Sequence, residues 1–425
     1  MTMDELVVSR LAAKNWPFSL EYLPQPVYMV GGAVRDAILG RVREYVDLDF
    51  IIPADAVKVA RKIAQRYQAG FVLLDAERKI ARVVFAHATA DFAQQEGESL
   101  ITDLHRRDFT INAIAYNPHT QEIIDPLEGY KDIDSGLLRM ISPVNLQNDP
   151  LRLMRAYRQA AQLGFTIEPV TQETIRSLAK SINQVAAERV RVEIGYLLAN
   201  SQGTFWLNTA WKDGVLTSFF KNATEESFIK LTAIDQAAAL ISQSWQELAE
   251  KLANYVRETV KTSWLATAKL ACLVDSKPEI AEIELQELTY SRAEIRAVTT
   301  GLRLFSEIKA VNMPLRTQYF LFREMGILFP AVLVLALAND IVAKGMFEES
   351  MLVTYEPLIK RYLDKNDAVA HPIPLLNGKD MMMALNIPAS SLVGELLMEV
   401  GVAQAEGKIS TVEAAIEFAR NLVKK

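Results

Sequence analysis

Apolar and polar positions change their period partway along this chain. Up to about residue 140, short apolar runs with strand-like alternation are separated by stretches of helical spacing. Val27-Tyr28-Met29-Val30 predicts a strand, Ala33 to Leu39 a short helix ended by Gly40, and Val46 to Ile52 a second strand stopped by Pro53. Residues 54–68 carry Val57, Ala60, Ile63, Ala64 and Tyr67 at helical steps. Phe71 to Leu74, Ile80 to His87 and Thr89 to Phe92 read as further strands, the last two either separate or continuous. Phe109 to Asn117 fits strand or helix, and Ile123-Ile124 is a short strand running into the turn Asp125-Pro126.

Beyond residue 140 the strand signals fade. Asp149-Pro150 predicts a helix start, with Asp149 as N-cap and Pro150 at the first helical position, and Gly164 closes that helix. Amphipathic helices account for most of 171–360, broken near Asn200 to Gly203, Gly214, Lys277-Pro278 and Asn312 to Pro314. A polar stretch from Asp364 to Pro374 reads as a linker before a last helical unit. The expected fold is α+β, a small head of strands and helices followed by an all-α remainder.

The chain has 425 residues, half of them apolar, enough for several domains with sizeable cores. Acidic Asp4 and Glu5 stand where a signal peptide would be positive. The longest apolar run, Ile327 to Ala338, is interrupted by Pro330 and is shorter than the roughly 20 residues of a bilayer span. The expectation is a cytoplasmic protein with no membrane segment. The single cysteine, Cys272, excludes an intramolecular disulfide and any cysteine-cluster metal site, and its apolar flanks predict an inert core thiol. The four histidines (His87, His105, His119, His371) are scattered and predict no histidine metal site. A net charge of −6 argues against a wholly basic surface, yet residues 139–191 hold eight basic residues against four acidic ones. Such a band can hold phosphates or be a solvated helix face, and charge alone does not separate the two.

The chemistry concentrates on Val46-Asp47-Leu48-Asp49-Phe50. Period-two geometry puts Asp47 and Asp49 on one face of the strand, a pair of hard oxygen donors suited to Mg²⁺. A solvent-facing edge strand with two acids has the same pattern. Upstream, Gly31-Gly32 lies between a strand and a helix, so backbone N–H groups and a helix N-terminus can face a phosphate, with Arg35 one turn on. The order of the two elements is more specific than either alone.

Gly31-Gly32-Ala33-Val34-Arg35-Asp36 followed by Asp47-x-Asp49 resembles the polymerase-β-like nucleotidyltransferases, in particular the bacterial-type (class II) CCA-adding tRNA nucleotidyltransferases and their sister poly(A) polymerases. Arg106-Arg107-Asp108-Phe109-Thr110-Ile111-Asn112 is similar to that family's second motif. This implies Asp108 and Asn112 at the ribose of the incoming nucleotide and Arg107 at its triphosphate. Asp149-Pro150-Leu151-Arg152 resembles the nucleotide-reading motif, in which Asp149 and Arg152 match the Watson–Crick edge of C or A; Asn148 stands where the family usually has Glu. Arg152, Arg155 and Arg158 follow at three-residue steps along one side of that helix, an expected nucleotide-binding rail for a triphosphate or a tRNA end. Glu188 to Glu193 resembles a motif that braces the neck, with Glu188 and Arg191 spaced as an ion pair, and Asp91 is the candidate third metal carboxylate.

The resemblance implies a polymerase-β-like head with a mixed sheet over 1–140, a nucleotide-reading neck over 141–200, a helical body over 201–363 and a tRNA-binding tail over 364–425. It also implies Mg²⁺ as cofactor in a two-metal mechanism without a covalent intermediate. The implied partners are tRNA, CTP and ATP, with no protein partner indicated. One departure is informative. CCA-adding members carry a flexible loop before the Arg-Arg-Asp motif, whereas here only Phe92 to His105 lies between Asp91 and Arg106, with Glu96, Glu98 and Asp103. Within the family a missing loop goes with CC-adding enzymes. The expectation is therefore CC addition, or CCA addition through a substitute for the loop. A poly(A) polymerase and a catalytically dead tRNA-binding scaffold are the alternatives. The acidic pI of about 5.5 disfavours the first, and intact Asp47, Asp49 and Arg107 disfavour the second.

Overall fold

A computed structural model describes residues 3–41, 45–257, 260–309, 313–345 and 348–424; Asn312, at one of the expected helix breaks, lies outside them. The chain divides into two compact units, Met1–Glu193 with Phe205–Leu216, and Ile194–Thr204 with Thr217–Lys425.

The first unit begins with α1 (Met3–Leu11) and continues through β1 (Tyr28–Val30), α2 (Gly32–Ile38), β2 (Val46–Ile52), α3 (Ala56–Tyr67), β3 (Gly70–Asp75), β4 (Ile80–Val84) and β5 (Ala88–Gln94). Then come α4 (Leu100–His105), β6 (Ala115–Asn117), β7 (Glu122–Ile124) and α5 (Gly129–Asp134). The seven strands form one mixed sheet in the order β3-β4-β5-β2-β1-β6-β7, and only β2 and β5 run parallel. Ile80 to Phe92 is thus a hairpin, closed where Phe85 N–H donates to the Ala88 carbonyl at 2.8 Å. Leu48 and Phe50 point into an aromatic core, where Phe50 stacks on Phe92 at 5.3 Å and Trp16 and Phe18 meet its ring edge-on. That leaves Asp47 and Asp49 on the opposite face, as the alternation predicts.

Three differences from the sequence reading have physical reasons. Residues 109–117 are neither one strand nor one helix: a single 3₁₀ turn, Thr110–Asn112, precedes β6. Every position from Phe109 to Asn117 is buried, so no amphipathic period exists to be read. Helix α4 goes unseen in the sequence because acids surround it, yet Ser99 caps it and Leu100 and Leu104 pack on Val30 and Ile51. Finally, the helix that starts near Asp149 has Pro150, in αR conformation, at its cap position, and the Asp149 side chain makes no capping bond. Asp149 instead ends α6 (Pro143–Asn148), and α7 runs Leu151–Leu163 to a left-handed Gly164 with φ of 73°. α8 (Pro169–Leu178) and α9 (Ala187–Ala199) follow.

The second unit is mainly helical. Its helical stretch Leu315–Lys344 is long and apolar enough to cross a membrane, more than the run from Ile327 suggests, and it turns at Gly326 with φ of 49°. Its most apolar window is 72 % buried, and Val332 to Ala338 lie in the core beside the helix Glu225–Ser244. Cys272 is buried there, its thiol pushed up to about 12 by burial, so it is inert as expected. The stretch 364–374 is not a loose linker: Asp367 accepts the Val369 and Ala370 N–H groups and pairs with Arg361 at 2.7 Å. Beyond it Leu376, Met381, Leu396, Val400, Ala415 and Ala419 form a small core of their own.

Candidate active site

Strand register assembles the centre of the site. Val30, the last residue of β1, lies opposite Asp49, and on the other side Asp47 faces Thr89 and Asp49 faces Asp91. Gly31 therefore turns directly beside Asp49, at φ of 73° and ψ of −136°, a region closed to residues with a side chain. A Cβ there would lie 3.2 Å from Asp49 Oδ2 and 3.7 Å from Arg107 Nη1. Gly31→Ala is expected to cost about 1–3 kcal/mol of stability through the strained φ and to lower activity by crowding Asp49. A thermal melt beside a turnover assay checks both, and unchanged values would remove the need for glycine.

Asp47 is exposed and accepts a short hydrogen bond from the Thr89 hydroxyl. Asp49 is part-buried, and its carboxyl is pushed up to about 6 by burial and by the charges of Asp91 and Asp47, against the pull of Arg107. A carboxylate held in repulsion with its neighbours, next to a second one, is a donor set that a hard divalent cation would relieve. The expected third ligand has a different partner. Both oxygens of Asp91 are gripped by Arg82, at 2.7 and 2.8 Å, and among the described residues no group of three or more His, Cys, Asp or Glu is placed to hold a metal ion.

Helix α4 leads to Arg106, which pairs with Glu96, and to Arg107, which lies beside Asp49. Asn145 of α6 holds this stretch by donating to the His105 and Arg107 carbonyls, each at 2.7 Å. Arg107 pairs loosely with Asp103 at 3.6 Å, and its Nε is buried with no partner. The Nε of Arg155 is likewise buried and unpartnered, while its Nη2 meets Asp108 at 2.8 Å. Two buried, unsatisfied guanidinium donors suit an anion.

Asp108, Asn112 and Arg35 sit together below them. Burial works against the Asp108 charge, but Arg155, the Asn112 amide, Arg152 and the Phe109 N–H outweigh it and hold the carboxyl at about 2. Arg35 is only 8 % exposed and donates to Asp36 and, at 2.7 Å, to Asn112 Oδ1. Its guanidinium lies behind the Gly31-Gly32 turn, where a Cβ on Gly32 would stand 3.5 Å from Nη2. Gln159 of α7, a residue that nothing in the sequence singles out, completes this buried network.

The three spaced arginines of α7 part company. Arg152 donates to the Arg106 and Asn145 carbonyls and lies 3.9 Å from Asp149; Arg155 serves Asp108; Arg158 pairs with Glu193 of α9. Arg189 reaches Asp149 at 3.7 Å, so Asp149 and Arg152 form a half-exposed pair at the mouth of the site. The stretch after β5 is closed on itself: Glu96 pairs with Arg106, its N–H donates to Asp103 at 2.9 Å, and Ser99 caps α4. Gly97, at φ of 84°, lies so close to Thr102 that a Cβ would stand 2.6 Å from its methyl group.

Family models match three stretches of the chain: a poly A polymerase head domain at residues 27–139, a probable RNA- and SrmB-binding site of polymerase A at 164–226, and a putative tRNA nucleotidyltransferase domain 2 at 258–419. The chain is 47 % identical to a CC-adding tRNA nucleotidyltransferase of Synechocystis, over 98 % of this chain and 99 % of the relative. It is 30 % identical to an A-adding tRNA nucleotidyltransferase of Deinococcus radiodurans, over 93 % and 95 %. A solved complex of a CCA-adding enzyme with CTP superposes with a TM-score of 0.70 at 20 % identity, over 94 % of this chain and 92 % of that one, a likeness of fold.

Proposed function

The chain belongs to the tRNA nucleotidyltransferase family, and we propose that it extends tRNA 3′ ends from CTP and stops at CC. It is a nucleotidyltransferase that acts on tRNA with nucleoside triphosphates and without a nucleic-acid template. The observation carrying the end point is the closed turn and short helix over 95–106, which leaves no loop beside the base-reading pair to reshape the pocket for ATP. The Synechocystis relative's name supports the same reading. Incubating the protein with a tRNA that lacks its last three nucleotides, CTP and ATP tests it. The expected product ends in CC; incorporation of A after CC would overturn the end point. A preference for ATP on unrelated RNA 3′ ends would favour a poly(A) polymerase.

The reaction of this family is metal-dependent, and we take the ion to be Mg²⁺, held by Asp47 and Asp49 as hard oxygen donors. Ions bound there would activate the tRNA 3′-hydroxyl and neutralise the departing pyrophosphate. Thr89 orients Asp47, and Gly31 lets the backbone approach Asp49 without a side chain between them. Arg107 and Arg155 direct their unpartnered Nε–H groups to the triphosphate, which also meets the N–H groups of the Gly31-Gly32 turn. Asp108 and Asn112 take the ribose hydroxyls. Asp149 accepts the exocyclic amine that C and A share, and Arg152 donates to ring nitrogen or carbonyl; U and G lack that match. Arg35 and Arg158 brace the site from within. Asp91, engaged by Arg82, acts on Asp49 through its charge and is not a ligand. The neck over 141–200 carries the base readers, and the body and tail over 201–425 hold tRNA by backbone shape. The protein works in the cytoplasm, where its substrates are.

A further inference from the structure

Gln159 lies 3 % exposed on α7, two turns beyond the base-reading pair, and its amide faces the groups assigned to the ribose. Its Oε1 accepts from Asn112 Nδ2 at 2.9 Å and from Arg35 Nη1 at 3.5 Å, and its Nε2 donates to Asp108 Oδ2 at 3.4 Å. Asn112 Nδ2 donates at the same time to Asp108 Oδ1 at 2.9 Å, while Asn112 Oδ1 accepts from Arg35 at 2.7 Å. Every atom of the Asn112 amide is thereby assigned: its nitrogen faces Asp108 and Gln159, its oxygen faces Arg35. Without that second acceptor the Asn112 amide keeps Asp108 and Arg35 but leaves one N–H unpaired, and a carboxylate without the Gln159 donor is less fixed in plane. Among the described residues the glutamine is thus the one side chain of α7 that bonds Asn112 and Asp108 at once.

We propose that Gln159 is a positioning residue for ribose selection, acting through Asn112 and Asp108 so that the enzyme distinguishes CTP from 2′-deoxy-CTP. The inference rests on the assignment of Asp108 and Asn112 to the ribose. A hydroxyl is read well only where its partners are held in place, because an analogue lacking it then leaves oriented polar groups unpaired. Loosening those partners lowers the penalty for the analogue more than it lowers binding of either nucleotide.

The test compares kcat/KM for CTP and for 2′-deoxy-CTP on the same tRNA, in the wild type, Gln159→Met, Gln159→Leu and Asn112→Ala. Met keeps the volume of the side chain and removes both polar atoms, and Leu guards against a Met variant that fails to fold; thermal melts verify folding. The expected result is a CTP/dCTP ratio lowered by about tenfold in the Gln159 variants and at least as much in Asn112→Ala. A general loosening of the fold would lower both rates alike and leave the ratio unmoved. If Asn112→Ala collapses the ratio and neither folded Gln159 variant changes it, the role of Gln159 is overturned. If Asn112→Ala itself leaves the ratio intact, the ribose assignment falls and the inference with it.

Discussion

Asp49→Asn is expected to slow C addition by on the order of a thousandfold or more while the protein keeps its fold and its grip on tRNA. Metal-assisted charge stabilisation is worth several kcal/mol, and each 1.4 kcal/mol is about tenfold in rate. The asparagine keeps the shape of the side chain and the β1–β2 register, in which Asp49 lies opposite Val30. It also removes a carboxylate that burial, Asp91 and Asp47 already make costly to charge, so the melting temperature should hold or rise. Rapid-quench turnover with labelled CTP, a gel shift with tRNA, and Mn²⁺ binding followed by electron paramagnetic resonance separate these effects. A loss under tenfold, or full Mn²⁺ binding, would remove Asp49 from the ion site.

Asp108→Ala is expected to destabilise the first unit by roughly 2–4 kcal/mol, apart from its effect on turnover. Asp108 is 5 % exposed and receives Arg155, the Asn112 amide and the Phe109 N–H, so its loss strands several donors together. The Arg155 side chain is 39 % exposed, which tempers the cost through solvation and keeps the figure below that of a fully buried pair. The same carboxyl, held at about 2, predicts a pH dependence. A group whose folded value is depressed contributes stability that is present above its unfolded value near 4, and that contribution drains away as pH falls from about 4 to about 2. Urea midpoints of wild type and variant should converge as pH drops through that window. Equal midpoints at pH 7 would show that Arg155 finds another partner.

What the chain discloses unaided follows from where each residue faces. Asp47 and Asp49 were legible because the first half of β2 alternates them with the buried Leu48 and Phe50, so its two faces are written in residue types. Gly31 was legible because its left-handed φ admits little else. Residues 109–117 were not, since a segment buried on all sides has no polar phase to reveal its period. Spacing placed Arg152, Arg155 and Arg158 on one side of a helix, but it could not foresee that backbone carbonyls, Asp108 and Glu193 each take one of them. Gln159 escaped notice for a related reason: its partners lie 47 and 51 residues away, and an amide inside a helical stretch carries no mark of a distant network.

The closed segment after β5 also bears on how such an enzyme can change over generations. Lengthening it means inserting residues between Glu96 and Ser99, where Gly97 has no room for a side chain against Thr102, the Glu96 N–H is bound to Asp103, and Ser99 starts α4. An insertion there disturbs the start of α4, the helix that leads to Arg107 beside Asp49. Lengthening the segment without loss of the helix start would therefore require an insertion that keeps the Glu96–Asp103 and Ser99 cap contacts.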